Sequence, residues 1–336
     1  VRFVDHVYGE QERTAKDIED IALLRPDGTP LYNLSVVVDD IRMRITHIIR
    51  GQDHLINTFK QVLLYQGLGA PLPEFAHLPL ILAPGKAKLS KRAHGEVVAV
   101  TTYKQRGFLP GAFRNFLALL GWAPGDDREI LSTEEMIQLF DLDAINRANA
   151  VFNFTEGDPE NWTDPKALWM NGVYLTRTPI DELLPHVERT LKDAGLWDEA
   201  WAGPERERFA ATVDLIRQRY HSLLDFAGRG RPYFSEDYAF EPEAVEKNLA
   251  EPRLRAWLPM LAERLVAVDP WVHEGVEQAI RGLAEELGVK AGVLINAART
   301  ACTGQKVGPG LFELLVVLGR DRVASRLRRA VSRLPL

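Results

Sequence analysis

The 336-residue chain holds a single cysteine, Cys302. One thiol cannot build a disulfide framework or a cysteine-rich metal site. There is no apolar run of the ~18 residues that a membrane helix needs. No secretory leader is recognisable, so the expectation is a cytoplasmic protein with no membrane association. Also missing are a Cys/His cluster at zinc spacing and a Ser/His/Asp set for covalent catalysis. The net charge of −6 argues against a generic nucleic-acid binder. With 46% hydrophobic and 26% charged residues, the chain reads as an ordinary globular protein of two or three domains. It opens at Val1 without methionine, and Val1 to Asp5 reads as a strand already under way. The expectation is a sequence incomplete on its N-terminal side.

What is present begins with turn chemistry at Arg25-Pro26-Asp27-Gly28. The Val-rich run Leu31 to Asp40 is then expected to be a buried strand ending in two carboxylates. Ile45 to Gly51 is expected as a second strand meeting a tight turn. His54 to Gly67 has helical spacing, through Leu55, Phe59, Val62 and Leu63. His77 to Leu82 is expected as a third short strand, followed by a cationic loop whose Gly85 supplies backbone freedom. Strand, helix and strand in succession indicate an α/β core with ligand loops at strand ends.

From Gly95 onward the pattern is helical. Gly111 to Leu120 is apolar and helical, and Ser132 with Glu135 has the spacing of a capping box. Thr155 to Pro165 is expected as a surface loop. Val213, Ile216, Tyr220, Leu223 and Leu224 are expected to form one helix face, and Val323, Leu327 and Val331 another, with six arginines elsewhere on that segment. Charge is uneven: Leu287 to Leu336 holds nine Lys and Arg against two Asp and Glu. Such an end can hold a polyanion or can simply be a solvated basic helix.

The strongest chemical feature is Lys88-Leu89-Ser90-Lys91-Arg92, three cations in five residues after an apolar strand. Alone, it reads most simply as a solvated loop. Beside an α/β core, a mobile cationic loop suits a triphosphate, because ammonium groups can follow charge onto departing phosphates.

This pentapeptide resembles the lysine-rich loop of class I aminoacyl-tRNA synthetases in its glutamyl form. Four further segments resemble the same family in the same order. They are Pro30-Leu31-Tyr32-Asn33 through Val38-Asp39-Asp40, Thr46 to Leu55, Phe75 to Leu80, and Ala112 to Trp122 with Asn115. Near the C-terminus, Gly310 to Leu315 and Leu318-Gly319 resemble the final helices. The chain is thus similar to bacterial-type glutamyl-tRNA synthetases. The resemblance implies the second half of a class I nucleotide-binding α/β fold followed by all-α stem-contact and anticodon-binding domains. The implied divisions are 1–95, 96–177, 178–238 and 239–336.

The resemblance implies roles as well. Lys91 would hold the phosphates and stabilise pyrophosphate as it leaves, with Lys88 and Arg92 holding the loop or assisting. Asp53, His54, Leu80, Leu89, Ser90 and Lys91 would contact ATP. Tyr32 and Arg50 would hold glutamate, the guanidinium taking the γ-carboxylate. The expected activity is ATP-dependent formation of glutamyl-adenylate, assisted by Mg²⁺, and transfer of glutamate to tRNA(Glu) by a monomer. Two departures stand out. Gln52 replaces the usual family glutamate, and Phe152 to Trp169, containing Thr155 to Pro159, is longer than usual and expected as a surface insertion.

No His-x-Gly-His motif occurs, and His77-Leu78-Pro79-Leu80 does not substitute for it. The chain alone is therefore expected to be inactive in pyrophosphate exchange. The rival readings are a non-catalytic tRNA-binding protein derived from a synthetase and a glutaminyl-tRNA synthetase. The latter is disfavoured because no alternating strands follow Gly95. A short tRNA-modifying relative is excluded by the long helical tail.

Overall fold

The computed structural model describes residues 1–158 and 161–334. These divide into two compact units, one of 1–105 with 110–170 and the other of 106–109 with 171–336.

The first unit is built on a four-stranded sheet of β1 (Arg2–Asp5), β2 (Gly9–Glu12), β3 (His47–Gly51) and β4 (Glu74–Leu78), in the order β2-β1-β4-β3. β1 and β2 form an antiparallel hairpin, while β1 and β3 both run parallel to β4. β1 alternates, with Phe3 and Asp5 buried and Arg2 and Val4 exposed. Central β4 has Phe75, Ala76 and His77 all buried. Helix α1 (Tyr32–Met43) precedes β3, and α2 (Leu55–Gly67) connects β3 to β4. Phe59 and Val62 of α2 pack on Phe3 and Phe75 of the sheet, a cluster that fixes this helix against one face.

The run Leu31 to Asp40 is therefore a helix, not the expected strand. Leu34, Val37, Val38 and Ile41 fall at i, i+3, i+4 and i+7, the spacing of one helix face. Val37 is fully buried and α1 packs on α2. Three consecutive valines cost helix propensity only tenths of a kcal/mol each, less than burial of one face returns. Arg44, in the left-handed region, ends α1.

The expected strand His77 to Leu82 is split at Pro79, between β4 and the short β5 (Ile81–Leu82), which pairs with β6 (Ala150–Val151). The chain then turns back on β5: Ala83 N–H donates to Ala87 O, and Leu89 N–H to Ile81 O. Lys86, not Gly85, takes the left-handed conformation in this turn. The remaining helices of this unit begin with α3 (Lys91–His94), α4 (Val100–Gln105), α5 (Pro110–Leu119) and α6 (Thr133–Leu139). Ser132 and Glu135 form the expected capping box at α6. Within the expected surface loop, Pro159 and Glu160 lie outside the described residues. Thr163 and Asp164 are buried, because Thr163 shares a hydrogen bond with the Tyr103 hydroxyl and Asp164 accepts from Asn153 N–H. Phe152 is likewise buried, edge-on to Phe116.

α7 (Pro165–Arg177) and α8 (Ile180–Asp193) follow, then α9 (Arg206–Arg217), α10 (Leu224–Ala227), α11 (Arg231–Phe234) and α12 (Pro242–Asn248). The last five helices are α13 (Leu254–Val266), α14 (His273–Glu286), α15 (Ala291–Thr303), α16 (Leu311–Leu318) and α17 (Arg320–Ala330). The expected face running from Val213 to Leu224 is broken. α9 ends at Arg217, Tyr220 lies in the connection, and Leu224 is 46% exposed at the start of α10. In α17, Val323 and Leu327 are buried as expected, but so is Arg326, at 1% exposure. Its guanidinium donates to the carbonyls of Pro232, Cys302 and Ser235 and pairs with Glu236 at 2.7 Å. Glu236 also pairs with Arg322 and Arg329, both at 3.1 Å. Much of the basic excess is thus used internally rather than presented to solvent. Among the described residues no helix is long and apolar enough to cross a membrane.

Candidate active site at the carboxyl ends of the parallel strands

Parallel strands end together, and the loops beyond their carboxyl ends are where α/β sheets gather ligand groups. Here β3 ends at Arg50-Gly51, directly beside His77-Leu78 of β4 in the strand register. Arg50 Nη2 donates to Thr58 Oγ1 and Gln61 Oε1 of α2, each at 2.7 Å, and its Nε donates to His77 Nε2 at 3.3 Å. Gln61 Nε2 donates onward to Asn33 Oδ1 on α1 at 3.1 Å. Among the described residues no carboxylate forms an ion pair with Arg50. Burial holds its proton affinity below the usual arginine range, offset in part by Tyr32 and Asp40 nearby. Burial likewise pushes the Asp40 carboxyl upward and the Tyr65 phenol up to about 12. The result is a half-buried cation held by a hydroxyl, an amide and an imidazole, a site that a ligand carboxylate would complete.

Tyr32 is half-exposed as the first residue of α1. Its hydroxyl lies 3.4 Å from His54 Nδ1, and the two rings are 5.8 Å apart. Asp53 accepts from Lys88 Nζ at 2.5 Å, and that hydrogen bond holds the Asp53 carboxyl below its usual range. Asp53, an expected ATP contact, and the lysine loop are therefore tied together. Leu80 N–H donates to Asn149 Oδ1 at 2.8 Å, and Leu89 is held in the turn against β5 by its backbone. Ser90 caps α3 by accepting from Ala93 N–H at 3.3 Å. Lys91 and Arg92, in the first turn of α3, are exposed.

Gln52 also has a definite place. Its Oε1 accepts from the Tyr8 hydroxyl, and its Nε2 donates to Asn149 Oδ1 at 2.6 Å. It thereby steadies the turn carrying Leu80, a job for an amide, which can donate and accept at once.

Sequence reasoning missed Asp5, Thr58, Gln61, His77 and Asn149. Part of the signal was available: His54, Thr58 and Gln61 recur at i, i+4 and i+7, a polar stripe on a helix whose other face is apolar.

Residues 1–156 match the family described as tRNA synthetases class I (E and Q), catalytic domain, and residues 180–331 match the anticodon binding domain. The chain is 48% identical over 331 residues to a glutamate–tRNA ligase of Desulfotalea psychrophila, covering 98% of this chain and 67% of that protein. The chain belongs to the glutamate–tRNA ligase family. A Koribacter versatilis glutamate–tRNA ligase is 49% identical over 330 residues, 98% of this chain and 66% of its own length. A solved glutamate tRNA ligase from Elizabethkingia meningosepticum, in complex with its amino acid, superposes with a TM-score of 0.84 at 29% identity. That match takes in 100% of this chain and 66% of the other. The chain thus spans about two thirds of the length of these glutamate–tRNA ligases, and it carries their class I catalytic fold and helical anticodon-binding domain.

Proposed function

We propose that this chain serves glutamate–tRNA ligation: ATP-dependent activation of L-glutamate, then transfer to the 3′ end of tRNA(Glu). The observation that carries the reading is Arg50, a half-buried guanidinium held by Thr58, Gln61 and His77, with no ion-paired carboxylate among the described residues. It would take the γ-carboxylate of glutamate, with the Tyr32 hydroxyl beside it. Asp53, His54 and the backbone at Leu80 and Leu89 would line the ATP side. Ser90 would act through the helix it caps, presenting Lys91 and Arg92 to the phosphates.

In the reaction, a glutamate α-carboxylate oxygen attacks the α-phosphorus of ATP and pyrophosphate leaves. Lys91, with Lys88 and Arg92, would neutralise the charge that builds on the leaving group. The terminal ribose hydroxyl of tRNA then attacks the acyl carbon and releases AMP. Mg²⁺ would accompany ATP and neutralise phosphate charge. Among the described residues no three His, Cys, Asp or Glu gather to hold a metal. The helical unit would hold tRNA, in a cytoplasmic, monomeric enzyme.

The test is Arg50→Gln in the native enzyme, read as the ratio of kcat/KM for glutamate to that for glutamine. A lost charge-assisted pair should lower that ratio by roughly 10²-fold. An unchanged ratio removes Arg50 from the amino-acid pocket.

A further inference from the structure

Asp5, His77 and Arg50 are linked side chain to side chain across three adjacent strands. Asp5 ends β1, His77 lies near the end of β4, and Arg50 lies opposite His77 on β3. Asp5 and His77 have 1% and 0% exposure, polar groups in the otherwise apolar centre of the sheet. Asp5 Oδ1 accepts the amides of Val7 at 3.0 Å, Tyr8 at 2.9 Å and His77 at 3.3 Å. Its Oδ2 bonds to His77 Nδ1, at 2.6 Å. Burial alone would raise this carboxyl, but the bonds from His77 and the amides hold it below its usual range, as the charged acceptor. Nδ1 then carries a ring proton, and Nε2 is the acceptor that faces Arg50 Nε–H at 3.3 Å and the Thr58 hydroxyl at 3.1 Å.

We propose that Asp5 and His77 are positioning residues that orient Arg50 for its substrate carboxylate. The proposal rests on the reading of Arg50 given above. Thr58 and Gln61 hold Nη2 at one end of the guanidinium, and His77 holds Nε. With both fixed, the plane of the fork is set before substrate arrives, which spares that ordering at binding. Asp5 acts through His77 by selecting its tautomer.

Asp5→Asn tests this in the native enzyme. Asparagine keeps an oxygen for the three backbone amides but presents an NH₂ to His77 Nδ1. The ring proton then shifts to Nε2, where it opposes Arg50 Nε–H, donor against donor, and turns instead to Thr58 Oγ1, so that Arg50 Nε loses its acceptor. The expected result is a KM for glutamate raised roughly tenfold, with the KM for ATP unchanged within about twofold. His77→Gln, whose amide oxygen can still accept from Arg50, should retain more glutamate affinity than His77→Ala. In an Arg50→Gln background Asp5→Asn should add nothing, because the group it positions is gone. Should a variant fail to fold, ¹⁵N resonances of His77 in the unaltered protein decide the matter. A proton on Nε2 rather than Nδ1 overturns the proposal. So does an Asp5→Asn enzyme with an unchanged glutamate KM, or one whose ATP and glutamate KM rise together. If Arg50→Gln collapses the glutamate preference while Asp5→Asn does nothing, the pocket stands and the positioning fails. If Arg50→Gln leaves that preference intact, the pocket reading itself fails.

Discussion

Lys88 Nζ reaches Asp53 Oδ2 at 2.5 Å, tying the lysine-rich loop to the turn that follows β3. The two residues are 35 positions apart, and the pair is partly open to water, with the Lys88 side chain 54% exposed. Such a pair adds little to global stability, about 0–1 kcal/mol. Its consequence is local: it keeps the loop folded onto the turn after β3.

Asp53→Asn is therefore expected to leave the melting temperature nearly unchanged while amide exchange across Leu89 to Arg92 accelerates. The same opening should occur with acid. The Asp53 carboxyl lies below its usual range, so the tether is intact above about pH 4 and is lost as pH falls through the lowered value. Exchange rates unaffected by the substitution would show that the turn hydrogen bonds alone hold the loop.

Lys91→Ala should cut glutamate-dependent pyrophosphate exchange in the native enzyme by roughly 10²–10³, the scale of losing one transition-state donor. The KM for glutamate should barely move, because Lys91 is exposed in the first turn of α3, whereas Arg50 is held by Thr58, Gln61 and His77. Normal turnover with lost glutamate binding would reverse the assignment.

His6 offers a pH signature on the hairpin turn. Its ring bonds to Glu74 at 2.6 Å and Asp143 at 3.2 Å, and these raise its proton affinity, the Glu74 bond most. The folded value lies above the unfolded one, near 6.5. The stabilisation is therefore full below about pH 6.5 and is lost as pH rises through the raised folded value. Melting temperatures compared at pH 6 and pH 8.5 should differ less in His6→Gln than in the parent. Parallel curves would remove His6 from the balance.

Arg326→Ala should destabilise the helical unit by about 3 kcal/mol or more, since three carbonyls lose their donor and a fully buried side chain leaves a void. Arg329→Ala, at the exposed edge of the same Glu236 cluster, should cost under about 1 kcal/mol. Urea denaturation followed by tryptophan fluorescence distinguishes them. Equal shifts would mean that Glu236, not the buried donor set, dominates. In tRNA binding, exposed Arg328 should contribute to the salt dependence and Arg326 should not, since a phosphate cannot reach a side chain of 1% exposure.

The sequence by itself determined features whose cause lies within a few residues. The capping box of Ser132 and Glu135 needs only one helical turn, and the 3.6-residue period of His54 to Gly67 is local. The order of the motifs around Lys88 to Arg92 carried the family. The helix at Tyr32 to Met43 was also legible, through Leu34, Val37, Val38 and Ile41, but three valines in succession outweighed that period in a reading by composition. Tertiary structure decided the rest, because the deciding partners are remote. Asp5 and His77 meet across 72 positions, and Arg326 reaches Pro232 across 94. A polar side chain reveals nothing in sequence about which buried group will satisfy it. Only the strand register that sets His77 beside Arg50, and the helix packing that encloses Arg326, convert such residues from presumed surface to core.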